Sequence, residues 1–131
     1  MIVVDCSYAL ALVLPDEVRP ASMRTVLAMS LAAPMIWPLE VANALRTSLK
    51  RGRLDDGGAD EICQRLADLQ IDVVAPGHAL PRRHLDAAAV HDLTPYDASY
   101  LVLAQQVSGA LATRDANLSR AARKAGIPIF E

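Results

Sequence analysis

The sequence is poor in cysteine, in aromatic residues and in long apolar runs. Its two cysteines, Cys6 and Cys63, are too few for a disulfide framework in a chain of 131 residues. Five aromatic residues leave Leu, Val, Ile and Ala to fill the core. No apolar run reaches the roughly 18 residues that a membrane-spanning helix needs, and no basic leader precedes the first strand. We therefore expect one cytoplasmic domain over residues 1–131, with no membrane contact and with Cys6 as a small buried residue.

An excess of positive charge is also missing. The formal net charge of −2 argues against a protein that holds nucleic acid mainly through a basic surface. The net charge does not exclude a nuclease, because a cluster of acidic metal ligands can account for its negative sign. The formal charge would become +2 without four particular acids, Asp5, Glu40, Asp97 and Asp115.

Several common catalytic signatures are absent as well. The sequence contains no glycine-rich phosphate loop and no evident Ser-His-Asp arrangement. Its three histidines are separated by six and seven residues, whereas a helical metal pair needs a spacing of four. We therefore interpret them as structural or solvated; they are His78, His84 and His91.

Short apolar segments alternate with helical ones, which predicts an α/β fold with a mostly parallel central sheet of four to five strands flanked by helices. Strands are expected at 1–5, 32–37, 71–75, 110–113 and 127–130. Helices are expected at 7–14, 16–31 with a break near Pro20, 38–51, about 59–69, 78–91, 94–107 and 117–125. A polar loop at 53–58 and a turn at Pro76-Gly77 complete the pattern. Gly52 and Gly126 are expected to end helices.

Each of the four acids follows a strand or begins a helix. Asp5 follows Ile2-Val3-Val4, and Asp115 follows the strand at 110–113. Glu40 and Asp97 come just after Pro38 and Pro95, which suit the first turn of a helix. Strand ends and helix starts meet at the edge where a parallel sheet opens its ligand crevice. Four acids converging there would repel one another, and Mg²⁺ removes that penalty because it prefers carboxylate oxygens.

Helix capping offers a simpler explanation for each acid taken alone. Asp5 and Asp115 could each be an N-cap, and Thr94 with Asp97 reads as a capping box. Glu40 has no such partner, because Trp37 cannot supply a capping side chain, and this favours a functional role. Ser7 could cap a helix or orient Asp5. Residues that only cap helices would be scattered over both edges of the sheet. These four acids all follow a strand or begin a helix, which is the arrangement expected at a single edge.

Basic residues near the acids could hold an RNA backbone. Arg46 and Lys50 follow Glu40 on its predicted helix, and Arg114 precedes Asp115. A solvated helix face explains each of them equally well. With so few aromatic residues, base stacking would contribute little to RNA binding.

Four segments together resemble the PIN-domain family, and more closely its VapC-type toxins. They are VVDCS, PLEVANAL, TPYDASYLVLA and LATRDANLSRAARKAGIPIF, and they cover essentially the whole chain in order. The resemblance implies a PIN-like three-layer sandwich and a Mg²⁺- or Mn²⁺-dependent endoribonuclease. It places Asp5, Glu40, Asp97 and Asp115 at the acidic metal site, with Ser7 and Thr113 as supporting hydroxyls. Asn117 stands where some members carry a further acid, so a second metal position would be weak or empty.

The resemblance further implies a homodimer, a cognate antitoxin and binding of operator DNA only through that antitoxin. Two other enzyme classes fit less well: an aspartyl-phosphate phosphatase needs a second acid at Ser7, and a phosphate receiver needs an earlier acidic pair and a late lysine. The non-enzymatic alternative is an inactive PIN scaffold that acts as a protein-binding module.

Overall fold

The computed structural model describes residues 1–75 and 81–131. Its elements follow in the order β1 (Ile2–Val4), α1 (Cys6–Val13), α2 (Met23–Leu27), β2 (Leu31–Pro34), α3 (Trp37–Lys50), α4 (Asp56–Asp68), β3 (Asp72–Val74), α5 (Pro81–His91), α6 (Pro95–Gln106), β4 (Ala110–Ala112), α7 (Ala116–Lys124) and β5 (Ile129–Phe130). The turn predicted at Pro76-Gly77 and the residue His78 lie outside the described residues.

The strands form one five-stranded sheet in the order β3-β2-β1-β4-β5, and every pair is parallel. This confirms the predicted α/β class. β1 lies in the centre, with Ile2 in register with Leu31 of β2 and with Ala110 of β4. The chain builds outward from β1 through β2 to β3, then crosses back to β4. The strand order therefore reverses between β1 and β4, where parallel sheets open a ligand crevice beyond their carboxyl ends.

Helix α6 is the main support of the sheet, because it contacts β1, β2 and β4. Its residues Ala98 and 100–104 are buried, so it is apolar around most of its circumference. Close packing also explains Gly109, which precedes β4. A Cβ atom there would lie 2.5 Å from the backbone oxygen of Met1, so the approach of β4 to β1 requires glycine.

The predicted helix at 16–31 is wrong. Only Met23–Leu27 is helical, because Pro15 and Pro20 interrupt the segment and tertiary contacts hold it in another path. The Arg19 guanidinium donates hydrogen bonds to the carbonyl oxygens of Ala11 (2.9 Å) and Leu14 (2.6 Å) at the end of α1.

Several boundaries also differ from the prediction. Leu31 belongs to β2 through its pairing with Ile2, and Trp37 begins α3 instead of ending a strand. Helix α4 begins within the predicted polar loop, because Asp55 is its N-cap and accepts a hydrogen bond from the Gly58 amide at 2.7 Å. Gly52 and Gly126 follow the caps of α3 and α7 with positive φ, as predicted.

Candidate active site

Asp5 is a buried carboxylate at the end of the central strand. Its side chain is 5% exposed and caps α1, with Oδ1 accepting a hydrogen bond from the Tyr8 amide at 2.8 Å. The Ser7 hydroxyl lies 2.7 Å from Oδ1 and 2.9 Å from Oδ2, and the Thr113 hydroxyl donates to Oδ2. Burial raises the pKa of Asp5, these hydrogen bonds oppose the rise, and the Asp115 charge adds to it.

Ser7 and Thr113 also connect the end of β1 to the chain that follows β4. The Ser7 hydroxyl accepts a hydrogen bond from the Arg114 amide at 2.9 Å, and the Thr113 hydroxyl accepts one from the Asp115 amide at 3.0 Å. Thr113 is completely buried. The two hydroxyls therefore contact Asp5 and fix the backbone that carries Asp115.

Glu40 lies in the first turn of α3, where no side chain caps the helix. Its Oε1 accepts a hydrogen bond from the hydroxyl of Tyr100, a buried residue of α6. Burial raises the pKa of Glu40, the Tyr100 hydrogen bond lowers it, and the charges of Asp97 and Asp5 raise it. Tyr100 was not among the site residues predicted from the sequence. Its position three residues after Asp97 in α6 was the available signal, because such residues share a helix face.

Asp97 lies in the first turn of α6, and Asp115 directly precedes α7. Thr94 caps α6 by accepting a hydrogen bond from the Asp97 amide at 3.1 Å, which is one of the two bonds of the predicted capping box. Asp115 is the N-cap of α7 and accepts from the Leu118 amide at 2.8 Å. Burial raises the pKa of Asp97, and the charge of Asp115 raises it further. Three of these four acids therefore take part in capped helix starts, and capping does not exclude a shared site.

Each of the four acids is electrostatically repelled by two of the others. Each of four pairs is coupled electrostatically, namely Asp5–Asp115, Asp115–Asp97, Asp97–Glu40 and Glu40–Asp5. We call these residues the acid cluster. Among the described residues, every ion pair involves other carboxylates, so no lysine or arginine compensates the cluster. Like charges brought together without compensation are costly, and such arrangements are common at functional sites.

The donor chemistry of the acid cluster fits a hard divalent cation, because every candidate ligand is a carboxylate oxygen. The side chains are less closely grouped than the ligands of a preformed metal site. Across residues 1–75 and 81–131, no three His, Cys, Asp or Glu side chains are grouped so that they could hold a metal ion as they stand. The hydroxyl and amide donors described above occupy oxygens of Asp5, Glu40 and Asp115 instead.

Cys6 is half-buried beside the acid cluster but does not join its chemistry. Burial, followed by the charges of Glu40 and Asp5, raises the pKa of its thiol to about 12. The thiol therefore stays protonated at neutral pH, and the thiolate is the form that attacks or binds metals.

The candidate RNA-binding residues differ in their surroundings. Arg46 and Lys50 are exposed on α3, beyond Glu40. Arg114 is also exposed, but its guanidinium contacts Glu17 Oε2 at 3.3 Å and the Val18 carbonyl at 3.1 Å. Arg114 is thus held against the loop after α1.

Asn117 and the histidines complete the set of sequence-based candidates. Asn117 is exposed in the first turn of α7, and its Oδ1 accepts a hydrogen bond from Arg120 at 2.9 Å. His84 and His91 lie on α5 and are not members of the acid cluster.

The fold and the site together define a parallel α/β domain with coupled carboxylates beyond the carboxyl ends of its strands. A family model described as "PIN domain" matches residues 2–124. The chain is 37% identical over 124 residues to Ribonuclease VapC9 of Mycobacterium tuberculosis and to VapC ribonuclease Mb0985 of Mycobacterium bovis, covering 91% of this chain and 89% of each relative. It is 32% identical over 120 residues to Ribonuclease VapC3 of Pyrobaculum aerophilum, covering 90% and 92% of the two chains.

The protein therefore belongs to the PIN-domain family, and its relatives there are VapC ribonucleases. The crystal structure of PAE2754 from Pyrobaculum aerophilum has the same fold, with a TM-score of 0.66 at 24% identity. That match covers 92% of this chain and 83% of the other. No helix within the described ranges is long and apolar enough to cross a membrane.

Proposed function

We propose that this protein is a metal-dependent endoribonuclease, the toxin of a toxin–antitoxin pair, which hydrolyses RNA phosphodiester bonds at the acid cluster. The observation that carries the proposal is the acid cluster itself: four carboxylates that repel one another at the sheet's switch point, with no cationic side chain paired to them among the described residues. The names of the VapC relatives support RNA as the substrate. The proposed partner is a cognate antitoxin in the cytoplasm.

Asp5, Glu40, Asp97 and Asp115 would hold Mg²⁺, or Mn²⁺ in its place. The bound ion would lower the pKa of a water and offset the charge that develops on phosphorus. The chain's own groups prepare this site. Because hydrogen bonds from Ser7, Tyr8 and Thr113 favour the ionised form of Asp5, they oppose the effect of its burial.

The Tyr100 hydroxyl favours the ionised form of Glu40, as the Ser7 and Thr113 hydroxyls favour the ionised form of Asp5. Its phenol hydrogen-bonds a carboxylate that would otherwise be protonated more easily. The pKa of the Tyr100 hydroxyl itself is raised far above its ordinary value, first by burial and then by Glu40, so it acts as a permanent donor. Since the Cys6 thiol stays protonated, we assign the attack on phosphorus to water.

Substrate binding is assigned to Arg46 and Lys50, whose exposed cationic groups lie on the same helix as Glu40. Arg114 would contribute once RNA displaces its exposed contact with Glu17, since such pairs are weak. Asn117 would contact a water or a weak second ion. A homodimer, and operator binding only through the antitoxin, complete the proposal.

The test is cleavage of total cellular RNA by antitoxin-free protein with Mg²⁺, Mn²⁺ or EDTA. Asp5→Asn and Asp97→Asn are the test variants. Asp55→Asn is a matched control, because Asp55 caps α4 as Asp5 caps α1 but lies outside the acid cluster. We expect metal-dependent cuts by the wild type and the control, and none by the test variants. Cuts that survive both test substitutions would place the chemistry elsewhere.

The absence of three convergent ligands among the described residues favours a second candidate, an inactive scaffold that binds a protein. The two candidates differ in metal binding. Titration with Mn²⁺ should give a site that Asp97→Asn weakens if the enzyme proposal is right. A wild type that binds no Mn²⁺ and cuts no RNA, yet forms a stable partner complex, would support the scaffold.

A further inference from the structure

An open cavity adjoins the acid cluster and has no part in the chemistry described so far. Its volume is about 360 Å³, within the range of small-molecule sites. It lies between the start of α3 and the start of α6, and Glu40 and Asp97 are among its lining residues. Leu39, Asn43 and Tyr96 also line it, and all three are exposed.

Tyr96 is unusual among the aromatic residues of this chain, all five of which the structure describes. Its side chain is 64% exposed, whereas Tyr8, Tyr100 and Trp37 are buried and Phe130 is half-buried. It directly precedes Asp97, and Pro95 and the Thr94 cap fix the turn that carries both residues. The chain therefore leaves its single exposed aromatic ring in the cavity that two of the four acids share.

The chemistry of the cavity favours one part of an RNA strand. A phosphate would be repelled by Glu40 and Asp97, whereas a nucleobase carries no charge and offers a flat face. An exposed tyrosine ring is a surface on which such a face stacks. Leu39, which is 67% exposed, adds apolar contact, and the Asn43 amide can both donate to and accept from a base edge.

We propose that Tyr96 stacks on one unpaired nucleobase of the RNA, next to the phosphate that is hydrolysed at the acid cluster. The inference rests on the proposed function and adds a positioning residue to it. A single stacked base agrees with the low aromatic content of the chain. Because every base has a stacking face, the contact would select single-stranded RNA, and Asn43 would supply any preference among bases.

The test uses single-stranded RNA that carries a fluorescent adenine analogue at one position at a time. Binding is measured in the Asp5→Asn background, so that the RNA stays intact, with Tyr96→Leu and Tyr96→Phe as added variants. Cleavage by proteins that retain Asp5 is measured in parallel. Since Tyr96 is exposed, neither substitution should disturb folding, which circular dichroism checks.

We expect one RNA position at which the analogue is quenched by the protein that retains Tyr96 and by Tyr96→Phe, which keeps an aromatic ring, and not by Tyr96→Leu. Tyr96→Leu should weaken binding and raise KM about 5- to 30-fold, with kcat within about twofold. An abasic nucleotide at that position should weaken binding to the wild type by a similar factor and affect Tyr96→Leu little.

Three other results would overturn the inference, and they separate it from the proposed function. Normal cleavage and RNA binding by Tyr96→Leu would refute the stacking contact and leave the proposed nuclease activity standing. A changed oligomeric state with unchanged RNA binding would make this face a contact between copies of the chain. Wild-type protein that neither binds nor cuts RNA would overturn both proposals.

Discussion

The Tyr100 hydroxyl donates a hydrogen bond to Glu40 Oε1, which joins the middle of α6 to the first turn of α3 across 60 positions of sequence. Tyr100 is otherwise surrounded by the core, since its side chain is 1% exposed. The contact fixes one carboxylate of the acid cluster from within the hydrophobic core. It makes Tyr100 the first position at which the proposed site can be tested without removing an acid.

Tyr100→Phe should lower kcat/KM for RNA about 10- to 150-fold, because a hydrogen bond to a charged group contributes about 1.5–3 kcal/mol. Its loss lets the pKa of Glu40 rise further and frees the carboxylate to move. Tyr8→Phe is the matched control, since the buried Tyr8 ring bonds the Ser22 hydroxyl at 2.8 Å through its own hydroxyl. Equal losses of activity in the two variants would show that the effect is one of stability alone.

Thr113→Val should destabilise the metal-free protein by about 1–3 kcal/mol, because it removes one hydrogen bond from the buried Asp5 carboxylate and leaves the Asp115 amide without its side-chain partner. Valine has nearly the same shape, so packing changes little. Urea unfolding measures the loss, and Thr113→Ser, which keeps the hydroxyl, should recover most of it. The role given to Thr113 would be refuted if serine and valine were equally harmful.

The metal-free protein should become more stable as the pH falls from about 7 towards about 5. The pKa values of Asp5, Glu40 and Asp97 are all raised in the folded state, so the folded state binds more protons than the unfolded state in this window. The free energy of unfolding therefore falls as the pH rises through it.

Denaturant unfolding in EDTA at a series of pH values measures whether the free energy of unfolding falls or rises with pH. Asp97→Asn should flatten the dependence, because it removes one titrating group and relieves repulsion on Glu40. Asp55→Asn should not. Saturating Mg²⁺ should stabilise the wild type most at neutral pH, where the carboxylates are ionised. Stability that only decreases on acidification would contradict the raised pKa values.

Gly109→Ala should destabilise the protein by roughly 2 kcal/mol or more, because the new Cβ would overlap the Met1 carbonyl oxygen in a tightly packed sheet. Gly57→Ala is the control. Its Cβ would lie 3.6 Å from the Asp55 Oδ1 atom, an ordinary contact distance, and alanine favours the helix. Thermal unfolding should show a loss for the first variant and no loss for the second.

The sequence predicted the parallel α/β architecture because its central strands are continuous apolar runs and its helices have recognisable caps and stops. Thr94, Asp115 and Gly126 behave as their local chemistry predicts. The segment at 16–31 was misread because it is held by contacts with distant residues: the Ser22 hydroxyl donates to the Glu131 carbonyl, and the Arg114 guanidinium contacts the 17–18 region. Local propensity carries no information about such contacts.

The acid cluster could be anticipated only in part. The position of each acid at a strand end or helix start is visible in the sequence, and topology suggests that they meet. Which pairs are coupled depends on the strand order, since β1 lies between β2 and β4. The hydrogen bond from Tyr100 to Glu40 depends on the packing of α6 across the sheet, which helical spacing alone does not determine.

The central place of β1 also has a consequence for biosynthesis. One partner of β1, Leu31 in β2, is made soon after it, but the other partner, Ala110 in β4, is made about a hundred residues later. Such distant pairings make folding slow, and a nascent chain cannot bury both sides of β1 until β4 has emerged. Asp5 therefore meets Thr113 and Asp115 only after β4 has been made, and chains that stop before β4 would carry no assembled site.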